Sequence, residues 1–227
     1  MPEFGGMRLF AIGDIHGCYA ALLALDAELD FGEQDCVVTL GDYVDRGPDS
    51  RLVLEHLIEL SKRSHLVPLL GNHETMLLGA RKGCVELQDW TDAGGNATLK
   101  SYRGQTLDSI PTRHWQFLEA CHRFHVAERD FFVHANADAT QPLAEQSDDM
   151  LFWQSFGSPP AHCSGRRMIC GHTEQRSGRP LNLGHAVCID TLAYGNGWLT
   201  CLDINSGTFW QANQSSQVRV SKLSPVR

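Results

Sequence analysis

Three apolar runs in the first third of the chain share one pattern, in which strand-forming residues end in a glycine and a polar residue follows at once. The runs cover residues 9–13, 37–41 and 66–71, and the polar residues that follow are Asp14, Asp42 and Asn72. Apolar runs without alternation are typical of parallel strands that are covered on both faces. Because sites in parallel sheets form outside the carboxyl ends of the strands, the pattern predicts that these polar side chains converge at one sheet edge.

The segments between these runs have the apolar spacing of helices. Residues 20–29 and 52–60 repeat apolar positions with a helical period, so each run and the helix after it resemble one βαβ unit. Residues 83–113 are rich in turn-forming residues, which predicts a loop or a small helical insertion beside the site. Residues 114–122 predict a short amphipathic helix.

Strand-like runs return in the second half of the chain. Three of them are followed by His134, by His172 and by Asp190. Residues 205–207, Asn-Ser-Gly, stand between two further runs and predict a hairpin turn. The second half is therefore also expected to place side chains with metal-binding chemistry at strand ends.

Length and composition predict one globular domain. The chain has 227 residues, of which 42% are apolar and 20% are charged, and both fractions are ordinary for globular proteins. We expect a single domain over residues 7–212, an appended remnant or loose extension at 1–6, and a polar tail at 213–227. No apolar run approaches the roughly 18 residues of a membrane span, and the first run is too short for a signal peptide.

The net charge of the chain restricts its expected binding partners, and its cysteines indicate the redox environment in which it works. The formal net charge is −8, which argues against general binding to nucleic acid or to anionic membranes, because both require a basic face. The eight cysteines contain no C-x-x-C pair, so they are interpreted as reduced thiols in a cytoplasmic protein. The oligomeric state is left open.

Three polar clusters carry the candidate chemistry. They are Gly-Asp-Ile-His-Gly at 13–17, Gly-Asp-Tyr-Val-Asp-Arg-Gly at 41–47, and Gly-Asn-His-Glu at 71–74. In this order, and with His134 and His172 behind later strands, they resemble the signatures of the phosphoprotein-phosphatase branch of the dinuclear metallophosphoesterases. The resemblance extends over residues 7–211, and within this branch the chain is similar to small bacterial serine/threonine protein phosphatases. It implies an α/β fold, an α-β-β-α sandwich with mixed sheets, and a site at the strand carboxyl ends.

The residue types in these clusters suit a pair of divalent cations. Carboxylate oxygens mixed with imidazole nitrogens favour manganese, iron or zinc, of which we expect manganese. Two such ions can hold a phosphate and acidify a water molecule. The resemblance implies that one ion takes Asp14, His16 and Asp42, and that Asp42 bridges to a second ion. The implied ligands of the second ion are Asp42, Asn72, His134 and His172.

Three further residues have implied roles in the reaction. The resemblance makes His73 the donor of a proton to the leaving oxygen, with Asp45 on its other ring nitrogen. A carboxylate at that position fixes the tautomer and supports the charged imidazole that a general acid requires. Arg46 has the planar geometry to bind two phosphate oxygens. His185 is a weaker alternative to His172 as the last ligand and is expected on a wall or on the surface.

The substrate is where the sequence leaves alternatives open. Leu70 and Gln154 occupy positions at which many relatives of this type have arginine, and Arg166 and Arg167 are candidate replacements. The leading interpretation is hydrolysis of phosphate monoesters in phosphoproteins or small phosphoesters. The alternative is symmetrical hydrolysis of dinucleoside tetraphosphates by a sister group, which usually lacks the acid found here at Asp45 and has aspartate in place of Glu74. A non-catalytic binding protein would have no need of the proton donor.

Overall fold

Two mixed β-sheets pack face to face in the computed structural model, which describes residues 7–104 and 106–224. The strands of the first sheet are β1 (Arg8–Ile12), β2 (Asp35–Thr39), β3 (His65–Pro68), β9 (Leu199–Asp203), β10 (Thr208–Ala212) and β11 (Val218–Lys222). Those of the second are β4 (Phe124–Val126), β5 (Asp130–Val133), β6 (Arg167–Cys170), β7 (Leu181–Asn182) and β8 (Ala186–Cys188). Neighbouring strands follow the order β11-β10-β9-β1-β2-β3 in the first sheet and β4-β5-β6-β8-β7 in the second.

Each sheet contains three neighbouring parallel strands. Strands β1, β2 and β3 run parallel at one end of the first sheet, and β5, β6 and β8 run parallel in the middle of the second, whereas all other neighbouring strands pair antiparallel. The helices are α1 (Tyr19–Leu29), α2 (Ser50–Leu60), α3 (Asn72–Lys82), α4 (Leu87–Trp90), α5 (Asn96–Ser101), α6 (Thr112–Glu119) and α7 (Asp148–Phe152). A π-helical turn at Thr91–Gly95 joins α4 to α5.

The alternation of side chains along β1 shows how the layers are held together. Phe10 and Ile12 point into a core shared with α1 and α2, whereas Ala11 points into the core between the two sheets. Successive strand residues face opposite sides of a sheet, so one strand contributes to both layers. A third core covers the far side of the second sheet beneath α7. The arrangement confirms the predicted sandwich of helices around two mixed sheets.

Several local predictions are confirmed, and others need correction. The three early apolar runs form β1, β2 and β3, and Gly207 closes the predicted hairpin by donating its amide to Asp203 O at 3.0 Å. Residues 83–113 contain the predicted helical insertion, and the helix expected over 114–122 instead occupies Thr112–Glu119. Among the described residues, no helix combines the length and apolar character needed to cross a bilayer.

The segment predicted as a polar tail is part of the first sheet. Val218–Lys222 form β11, which pairs antiparallel with β10 over five residues. An edge strand can form main-chain hydrogen bonds without an apolar face. The polar composition of β11 therefore did not indicate a strand. Arg219 lies over the Trp198 ring, 4.1 Å from its centroid, and donates to Gly178 O at 2.7 Å. Residues 1–6, expected to be an extension, lie outside the described residues.

Replacement of Phe132 by alanine should test how much the core between the sheets contributes. Phe132 is fully buried beside Ile169 of the neighbouring strand, so Phe132→Ala should lower the free energy of unfolding by about 3–5 kcal/mol. Urea denaturation of the purified variants provides the measurement. Val220→Ala is the control, because Val220 is 54% exposed on β11, and it should change stability by less than about 0.5 kcal/mol. Equal losses in both variants would contradict this account of the core.

Candidate active site

The predicted metal-binding residues lie where strands of both sheets end. Asp14 follows β1, Asp42 follows β2, and Asn72 begins α3 just after β3. His134 and His172 follow β5 and β6 of the second sheet in the same way. The carboxyl ends of the parallel strands in the two packed sheets therefore deliver these side chains to one place, as the sequence pattern predicts.

Asp42 is the central carboxylate of this cluster. Its Oδ2 lies 3.2 Å from His16 Nε2, and its Oδ1 lies 3.5 Å from His134 Nε2. Burial disfavours the charged form, but His134, His73 and His16 outweigh it and hold the pKa of Asp42 well below its usual range. The two oxygens therefore face histidines from two different sides, which is the geometry that a bridging carboxylate requires.

Asn72 joins the histidines of the second sheet. Its Oδ1 lies 2.9 Å from His134 Nε2 and 3.1 Å from His172 Nδ1. The side chains of Asn72 and His134 are buried, and His172 is partly buried. The amide oxygen of Asn72 thus lies within hydrogen-bond distance of both ring nitrogens on the second-sheet side of Asp42.

Backbone carbonyl groups orient the three histidines toward this centre. Nδ1 of His16 lies 2.9 Å from Val44 O, and Nδ1 of His134 lies 2.8 Å from Leu40 O. Nε2 of His172 lies 3.1 Å from the carbonyl oxygen of Trp153. A ring nitrogen that faces a carbonyl oxygen carries a proton, and in the neutral imidazole the other nitrogen of each ring then presents a lone pair to the cluster.

Asp14 contributes buried negative charge, and Asp190 adds a carboxylate that the sequence analysis did not assign. Both oxygens of Asp14 accept the His172 amide, at 3.1 and 3.0 Å. Burial, Asp190 and Asp42 raise the pKa of Asp14, and burial raises that of Asp190 to about 6. Asp190 follows β8 directly, so the strand-then-acid pattern that identified the others was present there too.

Two groups of three side chains have the spacing of cation sites within the described residues. The atoms of one group, Asp42, His134 and His172, lie within 4.8 Å of one another, and those of His16, Asp42 and His73 do the same. Distance alone therefore places His73 with His16 and Asp42, where the sequence analysis placed Asp14. Buried carboxylates with inward-facing imidazole lone pairs fit divalent cations, because such cations offset the charge repulsion between the acids.

His73 and Asp45 form the predicted pair. Nδ1 of His73 lies 2.8 Å from Asp45 Oδ2, and both side chains are buried. Burial lowers the pKa of His73, but Asp42 and Asp45 outweigh it and raise the pKa above the ordinary value. Asp45 in turn accepts the Trp90 indole N–H at 2.9 Å and the Thr98 hydroxyl at 2.7 Å. Trp90 and Thr98 of the insertion therefore fix the position of the Asp45 carboxylate, and no sequence motif indicated these two residues.

Glu74 holds the backbone around Asp42. Its carboxylate accepts the amides of Gly71 at 2.9 Å, Asp42 at 2.7 Å and Tyr43 at 2.8 Å. Burial and the nearby Asp42 raise the pKa of Glu74 to about 8. The carboxylate therefore joins the start of α3 to the loop after β2, and so fixes two of the clusters relative to each other.

The site backbone is held in an uncommon conformation. Left-handed φ angles occur at residues whose side chains meet in the cluster, which are His16 (45°), Asp42 (51°), Asp45 (70°), Arg46 (65°) and His172 (61°). Such angles are unfavourable for residues with a Cβ atom and tend to persist where surrounding contacts enforce them. Gly47 permits a close approach, because a Cβ there would lie 1.9 Å from His16 O.

A polar cavity of about 320 Å³ opens beside the cluster. Its lining includes Asp42, Arg46, Ser155, His172, Thr173, Glu174 and Arg176. Arg46 lies over the Tyr194 ring, 4.7 Å from its centroid, and the Tyr194 hydroxyl donates to Glu174. Burial disfavours ionised Glu174, but Tyr194 and the arginines hold its pKa below the ordinary value. The cavity wall therefore carries both positively and negatively charged side chains.

The proposed arginine replacements are not at this cavity. Arg167 lies at the start of β6, where its Nε is 2.6 Å from Asp130 Oδ1, and Arg166 donates to Ala127 O at 3.2 Å. They stand at the amino end of the strand whose carboxyl end carries His172, so those candidates were wrong. Arg176, which the sequence analysis did not single out, lines the cavity instead. His185 precedes β8, and its Nε2 lies 2.7 Å from Pro159 O.

The two-sheet sandwich places carboxylate and imidazole side chains beside a basic residue, an arrangement that fits divalent cations and an anionic ligand. The calcineurin-like phosphoesterase family matches residues 7–173. The chain therefore belongs to the calcineurin-like phosphoesterase family.

Two curated relatives differ in the substrate that their names state. One is the symmetrical bis(5'-nucleosyl)-tetraphosphatase of Photorhabdus laumondii, which is 44% identical over 78 residues, 34% of this chain and 28% of that protein. The other is serine/threonine-protein phosphatase 1 of Salmonella typhimurium, which is 42% identical over 75 residues, 33% of each chain. The match thus spans about a third or less of these relatives.

A solved structure shares the fold over nearly the whole chain. The crystal structure of a candidate diadenosine tetraphosphatase superposes with a TM-score of 0.69 and covers 97% of this chain and 95% of that one. Its sequence identity is 20%, so the likeness concerns the fold.

The His73–Asp45 pair makes a prediction for the metal-free protein. Asp45→Asn should lower the pKa of His73, because the amide supplies no negative charge. The raised pKa contributes stability that is fully present below the unfolded-state pKa of about 6.5 and is lost as pH rises through the folded value. The difference in unfolding free energy between wild type and variant should therefore be larger near pH 5.5 than near pH 8.5.

Histidine NMR titration and denaturation at both pH values provide the measurements. His125, whose pKa is lowered by burial in β4, serves as the internal control and should titrate alike in both proteins. An unchanged His73 titration in Asp45→Asn would show that the carboxylate does not support the charged imidazole.

Proposed function

We propose that this chain hydrolyses phosphate compounds with two divalent cations, and that its preferred substrates are symmetrical dinucleoside tetraphosphates. The observation that carries the hydrolytic part is the His73–Asp45 pair standing beside the buried Asp42 cluster. A binding protein would gain nothing from a proton donor held in this way. The tetraphosphate part is supported by the names of relatives that match parts of this chain.

The proposed ligands divide into two sets that share Asp42. Asp14, His16 and Asp42 would hold one cation, and Asp42, Asn72, His134 and His172 would hold the other, with manganese expected and iron or zinc as alternatives. Such cations, when bound, neutralise phosphate charge and lower the pKa of water. The site geometry supports the second set more directly, because its donor atoms converge within hydrogen-bond distance of Asn72 or Asp42.

The remaining chemistry falls to side chains around the cations. His73 presents Nε2 to the site while Nδ1 donates to Asp45, so it is positioned to give a proton to the leaving oxygen. Arg46 lines the cavity beside Asp42 and binds phosphate oxygens through its planar guanidinium group. Trp90 and Thr98 keep the Asp45 carboxylate in one orientation.

Phosphoprotein hydrolysis is the second candidate. It was the leading interpretation of the sequence, and two observations favour it. Asp45 is present and bonded to His73, although the tetraphosphatase group usually lacks this acid, and the Salmonella phosphatase matches this chain over a similar number of residues. The tetraphosphatase names among the relatives weigh more, because they recur across several organisms.

A parallel assay of the manganese-loaded protein separates these functions. Diadenosine tetraphosphate, a phosphoserine peptide, a phosphotyrosine peptide and p-nitrophenyl phosphate should be ranked by kcat/KM under one condition. We expect diadenosine tetraphosphate to rank first and to yield ADP as its only nucleotide product. A higher kcat/KM for the phosphoserine peptide would establish the second candidate instead.

His73→Asn should separate proton donation from cation binding. We expect kcat to fall by about 10²–10⁴ for substrates with poor leaving groups, the range typical of a lost general acid. The loss should be smaller for p-nitrophenyl phosphate, because a phenol of low pKa departs with little help from a proton. Metal content, measured by plasma mass spectrometry, should stay at the wild-type level.

His185→Asn is the matched control, because it removes an imidazole outside the cluster and should leave kcat unchanged. Loss of metal in His73→Asn would identify His73 as a ligand, which the spacing of His16, Asp42 and His73 also permits. Equal slowing of good and poor leaving groups would likewise rule out the role of general acid.

A further inference from the structure

Glu174 connects two arginines in the cavity beside the metal-binding cluster. Its Oε1 lies 3.8 Å from Arg46 Nη1, and its Oε2 lies 3.4 Å from Arg176 Nη2. The two guanidinium groups thus contact the two oxygens of one carboxylate. Because a single small anion touches both, a compact substrate with successive anionic groups has the size to do the same.

The backbone that carries Arg176 is fixed on both sides. The Gln175 amide donates to Asp190 O at 2.8 Å, and the Gly178 amide donates to Gln175 O at 2.9 Å. Gly178 O in turn accepts the Arg219 guanidinium at 2.7 Å. The Arg176 side chain therefore projects from an anchored turn, although the side chain itself is 83% exposed.

The opposite wall of the cavity is also held in place. The Thr173 hydroxyl accepts the Phe156 amide at 2.8 Å, and His172 faces the carbonyl oxygen of Trp153. Asp42 and His172 line the same cavity as Arg176. One continuous space therefore leads from the cluster proposed to hold the reacting phosphate to a second guanidinium group.

We infer that Arg176 binds a second phosphate group of the substrate, next to the phosphate held at the metal-binding cluster. The ligand class is a polyphosphate chain, of which a dinucleoside tetraphosphate is one example. This inference rests on the proposed function, since it assumes that the cluster takes the first phosphate. Arg46 serves that first phosphate, Arg176 serves the next one, and Glu174 keeps the two guanidinium groups side by side.

The local charge favours such a ligand. Two guanidinium groups share the single carboxylate of Glu174, and Asp42, the other acid of the lining, belongs to the cluster proposed to hold cations. A phosphate monoester needs only the first basic group, whereas a longer phosphate chain gains from the second. Because Arg176 is largely exposed, salt should weaken its contribution.

Binding of two non-hydrolysable ligands tests the assignment. Methylphosphonate carries one phosphonate group and methylenediphosphonate carries two, and both can be titrated calorimetrically into the manganese-loaded protein at constant free Mn²⁺. Arg176→Ala should weaken methylenediphosphonate binding by about tenfold, the effect of one charge-assisted hydrogen bond. Methylphosphonate affinity should change by less than twofold, and the tenfold loss should shrink at high salt.

Arg179→Ala is the matched control for Arg176→Ala. Arg179 is an exposed arginine three residues further along the same turn, but it contacts Ser221 and the Phe209 ring and does not line the cavity. It should leave both affinities unchanged. Arg176→Lys should recover part of the lost affinity, because it restores the charge without the planar group.

The outcomes distinguish this inference from the proposed function. Methylphosphonate binding and turnover of p-nitrophenyl phosphate by the wild-type protein report the phosphate site itself, and their absence would overturn both. If they are present while Arg176→Ala leaves the ratio of the two affinities unchanged, only the second phosphate site is wrong. Equal weakening of both ligands would also overturn it, because Arg176 would then act on the first phosphate.

Discussion

The burial of the Asp42 carboxylate is the constraint on which the rest of the site depends. An isolated charge in a protein interior is costly, so its surroundings must compensate for it. Here His16 and His134 face its two oxygens, and Glu74 binds the backbone amide of the same residue. Each of these groups comes from a different part of the chain. Compensation of this one carboxylate therefore depends on how the two sheets and α3 pack around it.

A second consequence concerns the division of labour between the sheets and the insertion. The strand ends supply the potential cation ligands, whereas Trp90 and Thr98 of the insertion donate hydrogen bonds to Asp45. Asp45 then orients His73. The orientation of the proposed proton donor thus depends on how α4 and α5 dock, and the placement of the proposed cation ligands depends on how the two sheets pack.

Sequence reasoning located the strand-end residues because each follows a buried apolar run, a signal that depends on local order along the chain. It missed Arg176, Trp90 and Thr98, because they lie on loops and short helices. The apolar periodicity of the sequence does not predict how such segments pack. Sequence reasoning named Arg166 and Arg167 as candidate replacements for the missing arginines, whereas in the structure β6 separates these two residues from His172. The β11 strand escaped notice because pairing at a sheet edge relies on main-chain hydrogen bonds rather than on apolar side chains.

The order of strands in the first sheet also bears on how the protein is made. β1 precedes the other described strands along the chain, yet one of its two neighbours is β9, which ends at Asp203. Until β9 has been synthesised, one edge of β1 has no native partner, and exposed strand edges invite pairing with other chains. Since Asp14 follows β1, a nascent chain arrested before residue 199 would carry every proposed ligand without a completed sheet beneath the first of them.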